Sequence, residues 1–263
     1  QKNWPLLSAS AIAYFENESA TPKQLDRIGM DKVIDDFRQA TLRANRAGFD
    51  MLEMHAAHGY LLASFLSPLT NQRDDEYGGS IENRLRFPIQ VFQTMRENWP
   101  DEKPISVRVS ATDWLEGGIT EQDLIAIAEA FQVAGVDLMD VSAGQTVPNQ
   151  KPIYGRMFQT SFAETVRNVL GAATMTVGNI TEPAQINTLL HTRRADLVAL
   201  GRPFLWNPYF MRDAAAWYGV QLEDGDWEKQ YLAGKQQAYS VNEKSRAQQL
   251  EWQQKAKPKR HAD

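Results

Sequence analysis

An α/β fold built on a parallel sheet follows from three features of the sequence. Short apolar runs alternate with segments of helical period from residue 31 to about residue 222. The joins between them are short, as in strand–helix–strand crossovers. Polar residues or glycine stand directly after the apolar runs, in MH, RVSATDW, VSAG, VGNI and ALGRPF.

Each element can be justified in turn. Residues 1–30 contain QKNWPLLSASAIAYFENESATPKQL, a Ser/Ala/Pro/Asn-rich stretch that reads as a long loop. MDKVIDDFRQATLRANRAGFD then places Val33, Ile34, Phe37, Ala40, Leu42 and Ala44 close to helical spacing, with Gly48 as its stop. FDMLEMH is a short buried strand. Gly78-Gly79 marks a turn, Ser80 caps the helix ENRLRFPIQVFQTMRENW, and Asn83 and Arg84 are placed to anchor that turn. PISVRVSA is the next strand. Thr120 caps a helix that runs to Gly135, and VDLMDVSA follows as a strand. SFAETVRNVLG with ATMTVGNI, and TEPAQINTLLHTRRA with DLVALGRPF, repeat the formula twice more. Residues 223–263 become Gln/Lys-rich without a clear apolar face and read as a polar, mobile or partner-bound tail.

Polar carboxyl ends of strands build the active sites of (β/α) barrels, and doubly wound open sheets bind ligands at the same ends. Alternation does not separate the two, and five strand–helix units are fewer than a closed eight-stranded barrel needs. The 263 residues, 43% apolar and 23% charged, suit one large domain or two small ones. Net charge −5 and a pI near 5.5 give no basic footprint for nucleic acid, and the terminal KAKPKRHAD reads as a solvated tail. The absence of cysteine excludes disulfides, thiolate metal sites, iron–sulfur clusters and cysteine nucleophiles. No apolar run reaches the ~18 residues of a spanning helix and no signal-peptide core is seen, so a cytoplasmic protein is expected.

HAAHGYLLASFLSPL carries two of the four histidines. Three readings are open for His55 and His58. As helix neighbours they could ligate a metal, but no Glu, Asp or Cys completes a set, and no metal is expected. As core residues they would need hydrogen-bond partners. As a donor pair at a strand end they could hold an electron-rich oxygen, with the Tyr60 hydroxyl in reach as a proton donor. Arg108 sits among Ile105, Val107 and Val109 in a buried strand, so it needs an anionic partner. A structural carboxylate such as Asp140 and a ligand that gathers negative charge serve equally well. Gly178-Asn179 and Gly201-Arg202 close the last two strands, where backbone N–H groups and an arginine suit a phosphate. Turn glycines are the plain alternative.

HAAHGYLLASFLSPLTNQRDDEYGGSIENRLRF resembles the old yellow enzyme family of FMN-dependent ene-reductases, and more closely its bacterial NADH:flavin oxidoreductase branch. The likeness continues through SASAIAYFENESATP, SVRVSATDW, GVDLMDVSAG, SFAETVR, VGNI and ADLVALGRPFLWNP, over about residues 8–220. It implies a (β/α)8 TIM barrel, present here from strand four to strand eight, with FMN at the carboxyl ends of the strands. It further implies that residues 1–30 are the active-site loop after the third strand, that residues 31–222 are βα units four to eight, and that the chain is a piece of a longer polypeptide holding FMN weakly by itself.

Residue by residue, His55 and His58 match the pair that binds the substrate carbonyl oxygen, and Tyr60 the residue that protonates the α-carbon. Arg108 matches the arginine beside the flavin N1/O2 edge. Ser142, Ala143 and Gly144 match pocket-lining positions, and Gly178, Asn179, Gly201 and Arg202 positions around the phosphate. The implied reaction is hydride transfer from NAD(P)H through FMN to the C=C bond of an α,β-unsaturated carbonyl compound, aromatic and acyl-CoA-linked substrates included. A homo-oligomer is implied as well, since members commonly form dimers or tetramers. Two rival expectations stand beside this one. The chain could be a non-catalytic or partner-dependent module of a bifunctional monooxygenase/reductase of the salicylyl-CoA hydroxylase type. It could also be another phosphate-ligand barrel using His55 as acid/base.

Overall fold

In a computed structural model of the chain, residues 4–221 and 227–255 are described. They divide into two units, Gln1–Ala199 and Leu200–Asp263.

The first unit opens with a two-residue parallel pairing of β1 (Leu7–Ser8) with β2 (Lys23–Gln24). Helix α1 (Arg27–Arg46) begins four residues before the expected Asp31. Its N-cap is Asp26, whose carboxylate accepts from the Gly29 amide at 2.8 Å. The chain then alternates as the patterning requires: β3 (Leu52–Ala56), α2 (Leu61–Leu66), α3 (Ile81–Glu97), β4 (Ile105–Ser110), α4 (Glu121–Val133), β5 (Leu138–Ser142), α5 (Thr160–Leu170), β6 (Thr174–Thr176), α6 (Pro183–His191) and β7 (Leu197–Val198). The five strands β3 to β7 form one sheet in chain order, every pairing parallel. Among the expected caps, Ser80 accepts from Asn83 N and Thr120 completes a capping box with Asp123.

Because side chains alternate along a strand, register sorts them onto two faces. Met54, Val107, Val109, Met139 and Val141 share one face, each no more than 1% exposed. They join a continuous core with Val33, Leu85, Phe92, Ile127, Phe131 and Val166 from the helices. Phe92 and Phe131 meet edge to face at 5.5 Å, and truncating either ring to Ala costs about 3–5 kcal/mol. The opposite face is polar. It carries Glu53 and His55 from β3, Ser106, Arg108 and Ser110 from β4, and Asp140 and Ser142 from β5.

Two buried arginines tie loops to this frame. Arg73 donates to Ala9 O at 3.0 Å and Leu25 O at 2.7 Å, and pairs with Asp75, fixing the segment before α1. Arg84 donates to Leu66 O, to Gly79 O at 3.2 Å and to Asp123 Oδ1 at 2.7 Å, while Asn83 Nδ2 donates to Gly78 O. Asn83 and Arg84, expected to anchor this loop to the barrel, thus tie the Gly78-Gly79 turn to α2 and α4.

The second unit holds α7 (Arg202–Trp206), α8 (Phe210–Tyr218), a 3-10 turn at Lys229–Tyr231 and α9 (Leu232–Lys255). Arg246 of α9 donates to Ala216 O at 2.9 Å and to Trp217 O, capping the carbonyl end of α8. The stretch expected as a polar tail is thus helical over 24 residues. Ala, Gln, Lys, Glu and Arg favour helix by propensity even where no apolar stripe exists. The basic end from Ala256 onward lies outside the described residues. No described helix is long and apolar enough to cross a membrane.

Candidate functional site

His55 is the fourth residue of β3, on the polar face, and His58 lies in the turn that leaves the strand. The metal-type helical spacing is therefore not realised: the two rings are brought together by a strand end and a turn. Their centroids are 5.2 Å apart, and the Tyr60 ring also stands 5.2 Å from His55. Tyr60 is the N-cap of α2 and is 64% exposed, so its hydroxyl is free to meet a ligand.

The turn is held by contacts that the motif alone did not reveal. His58 adopts a left-handed backbone, φ 62, and its amide donates to Ser110 Oγ at 2.9 Å. Ser110 Oγ in turn donates to Gly144 O at 3.2 Å. Gly59 has φ 72, and a Cβ there would lie 2.8 Å from Gln145 O and 3.1 Å from Thr146 Cα. The loops after β3, β4 and β5 are thereby knitted into one surface. Among the described residues, seven non-glycine positions have positive φ; five of them (His58, Trp114, Gln145, Met157 and Asn179) fall in the loops after β3 to β6. Such backbone costs about 1–3 kcal/mol per residue and accumulates where geometry serves a ligand.

Electrostatics favour a neutral histidine pair. Burial, then the Arg108 charge, lowers His55; the same two causes together with His55 pull His58 down to about 4. His58 Nε2 sits 2.7 Å from Ser142 Oγ. If the hydroxyl donates, the imidazole proton stays on Nδ1, leaving that nitrogen a donor.

Arg108 lies beside His55 in register on β4, and Asp140 beside Arg108 on β5. The guanidinium Nε is 3.2 Å from Asp140 Oδ2, so the carboxylate named as one candidate partner is the one found. The pair lacks hydrogen-bond alignment: Arg108 Nε and Asp140 Oδ1 have no hydrogen-bond partner among the described residues. Ser142 and Ala143 are buried at the end of β5, and Gly144 follows with φ 74. Gly178 (φ 118) and Asn179 (φ 51) end β6, with Asn179 Nδ2 donating to Gly155 O at 3.0 Å. The Gln159 side chain covers Gly178, where a Cβ would meet it at 3.0 Å, and its Oε1 is buried without a partner among the described residues. Gly201 and Arg202 belong to the second unit, Gly201 preceding α7 with φ −109 and open space where a Cβ would stand. A turn requirement therefore explains Gly178 but not Gly201.

Ser110, Gln159 and the Gly59 contact escaped sequence reading, because a serine inside SVRVS or a glycine inside HGY carries no sign of which loop it will touch. The part-exposed Arg108 side chain, its buried Nε turned to Asp140, stands beside two neutral imidazoles and a phenol, a donor set suited to an electron-rich planar ligand at the strand ends.

Comparison with known proteins agrees with this architecture. An NADPH dehydrogenase of Geobacillus thermodenitrificans is 44% identical over 218 residues, covering 83% of this chain and 63% of that protein. Morphinone reductase, solved in complex with tetrahydroNAD, superposes with a TM-score of 0.66 at 30% identity over 85% of this chain and 62% of that one. An old yellow enzyme homologue from Zymomonas mobilis superposes at 0.68 with 25% identity over 84% and 63%. The α/β fold and its parallel sheet thus match old yellow enzyme barrel structures over part of their length, and the chain spans 63% of the dehydrogenase it resembles. The model of the NADH:flavin oxidoreductase / NADH oxidase family matches residues 5–218, and the chain belongs to that family.

Proposed function

We propose that this protein is an FMN-dependent, NAD(P)H-linked reductase of activated C=C bonds, and that β3 to β7 are strands four to eight of a (β/α)8 barrel. The observation that carries the reading is the meeting of His55, His58 and Tyr60 at one strand end, in register with Arg108. Family membership and the 44% identity to an NADPH dehydrogenase support the cofactor and the reductant.

The chain's own residues have definable tasks in such a reaction. Arg108, whose side chain is part-exposed at the strand ends, would hold the electron-rich N1/O2 edge of FMN. Ser142, Ala143 and Gly144 would line the ring pocket, and Gly178 and Asn179 would meet the phosphate. Bound FMN would supply hydride transfer between NAD(P)H and the substrate. His55 and His58, neutral at pH 7, would donate to the carbonyl oxygen of an α,β-unsaturated compound and polarise it without adding a net charge. Ser142, by donating to His58 Nε2, would keep the Nδ1–H tautomer that this donation needs. The exposed Tyr60 hydroxyl would deliver the proton that completes reduction at the α-carbon. In a cytoplasmic setting the reductant would be at hand.

A phenol titration tests the assignment. The flavin-loaded full-length protein should give a long-wavelength absorbance band with a para-substituted phenol, and the double variant His55→Ala, His58→Ala should lose it while retaining FMN. An undiminished band in the double variant would remove the histidines from the site. Absence of FMN binding by the full-length protein would point instead to a non-catalytic module.

A further inference from the structure

One layer of the polar sheet face runs His55, Arg108, Asp140, Met175 across four strands. Asp140 is the deeply buried member, its side chain 1% exposed against 27% for Arg108. A carboxylate taken out of water without full hydrogen bonding is costly as an anion. Burial accordingly pushes Asp140 up to about 7, against the opposing pull of Arg108 and with Glu53 adding to the rise. The charges acting on it are Arg108 on β4 and Glu53 on β3; His55 shares its row two strands away, His58 lies in the turn beyond β3, and β6 contributes the uncharged Met175. The arginine does not lose its proton at any ordinary pH. The net charge of the pair therefore changes only when Asp140 gains or loses a proton.

We propose that Asp140 is a positioning residue for Arg108, fixing the guanidinium at the strand ends and setting how much positive charge it offers to an electron-rich ligand there. The second half rests on the reading that this ligand is FMN; the first half does not. An ionised Asp140 compensates Arg108 and weakens its hold on developing negative charge. A protonated Asp140 leaves the guanidinium uncompensated. Asparagine at 140 would keep an oxygen near Nε while removing the charge, whereas leucine would remove both.

Two readouts separate the halves. The first uses the chain without flavin: the Arg108 Nε–H resonance, identified by its loss in Arg108→Lys, is followed from about pH 5 to 9. A single transition should appear in the wild type and be absent from both Asp140→Asn and Asp140→Leu. A pH-invariant resonance in the wild type, or a transition that persists in Asp140→Asn, overturns the positioning role. If Asp140→Leu does not fold, the near-isosteric Asp140→Asn carries the test alone. The second readout is the ratio of affinities for reduced over oxidised FMN. Asp140→Asn should raise it about tenfold above pH 8, equivalent to about 30 mV for two electrons. An unchanged or lower ratio overturns the charge-setting role. Absence of FMN binding by the full-length protein alongside a normal resonance titration would refute the reductase reading and leave the Arg108–Asp140 assignment standing.

Discussion

Replacing Gly59 with alanine should be far more damaging than replacing Gly48, although both glycines have a left-handed backbone, φ 72 and φ 81. An L side chain in that region costs about 1–2 kcal/mol wherever it occurs. At Gly48 nothing lies within 4 Å of the added methyl, so the backbone term is the whole cost. At Gly59 the methyl would stand 2.8 Å from Gln145 O and 3.1 Å from Thr146 Cα. Both are backbone atoms, which cannot rotate aside, so the loop after β5 must shift. Overpacking of this kind adds about 1–3 kcal/mol. Gly59→Ala should therefore cost about 2–5 kcal/mol and Gly48→Ala about 1–2 kcal/mol. Urea unfolding followed by circular dichroism measures both, with equal m values required for a fair comparison. In thermal unfolding each kcal/mol should lower Tm by about 2–4 °C. Equal destabilisation of the two variants would refute the loop contact that joins the histidine turn to the end of β5.

Other outcomes follow from the same geometry. Arg84→Ala removes donors to Leu66 O and Gly79 O and strands Asp123 next to a buried region, so it should cost about 3–5 kcal/mol in urea unfolding. His58 is lowered to about 4 in the folded chain, so the unfolded chain binds its proton first. The His58 contribution should be full above about pH 6.5 and be lost as pH drops toward 4, while Asp140, raised to about 7, contributes with the opposite sign over the same range. Allowing for partial exposure, the His58 loss should be on the order of 1–2 kcal/mol, read as the difference between the wild-type and His58→Gln profiles. Ser142→Ala should free the His58 ring to exchange tautomers, read as a change in its imidazole 15N shifts with little loss of stability.

Much of the first unit was legible because its elements are punctuated as well as patterned. Thr120 and Ser80 announce their helices through the hydrogen bonds they accept, and Gly171 ends α5 in the left-handed conformation that glycine tolerates best. The start of α1 was displaced because Gly29 in its first turn masks the helical signal that Asp26 begins. Helix α2 went unread, since YLLASFL is apolar on every side and is buried from Leu62 to Leu66. Helix α9 was invisible for the opposite reason, having no apolar stripe to detect. At the site, residue types spoke clearly for His55, His58 and Arg108. Register did not, and only register shows that His55, Arg108 and Asp140 form one row.

The Arg73 anchor has a consequence for the order of folding. Its bonds to Ala9 and Leu25 span 64 and 48 residues, and Ser64 and Gln72 close loops of 55 and 62 residues onto Ala9 and Ser10. Bringing such distant segments together carries a large loop-closure entropy before any contact repays it. The strand–helix units joined by short turns have no such delay, so they should assemble first and offer Arg73 a fixed position. During synthesis residues 4–25 would leave the ribosome before their anchor and dock only once the chain beyond residue 73 has been made.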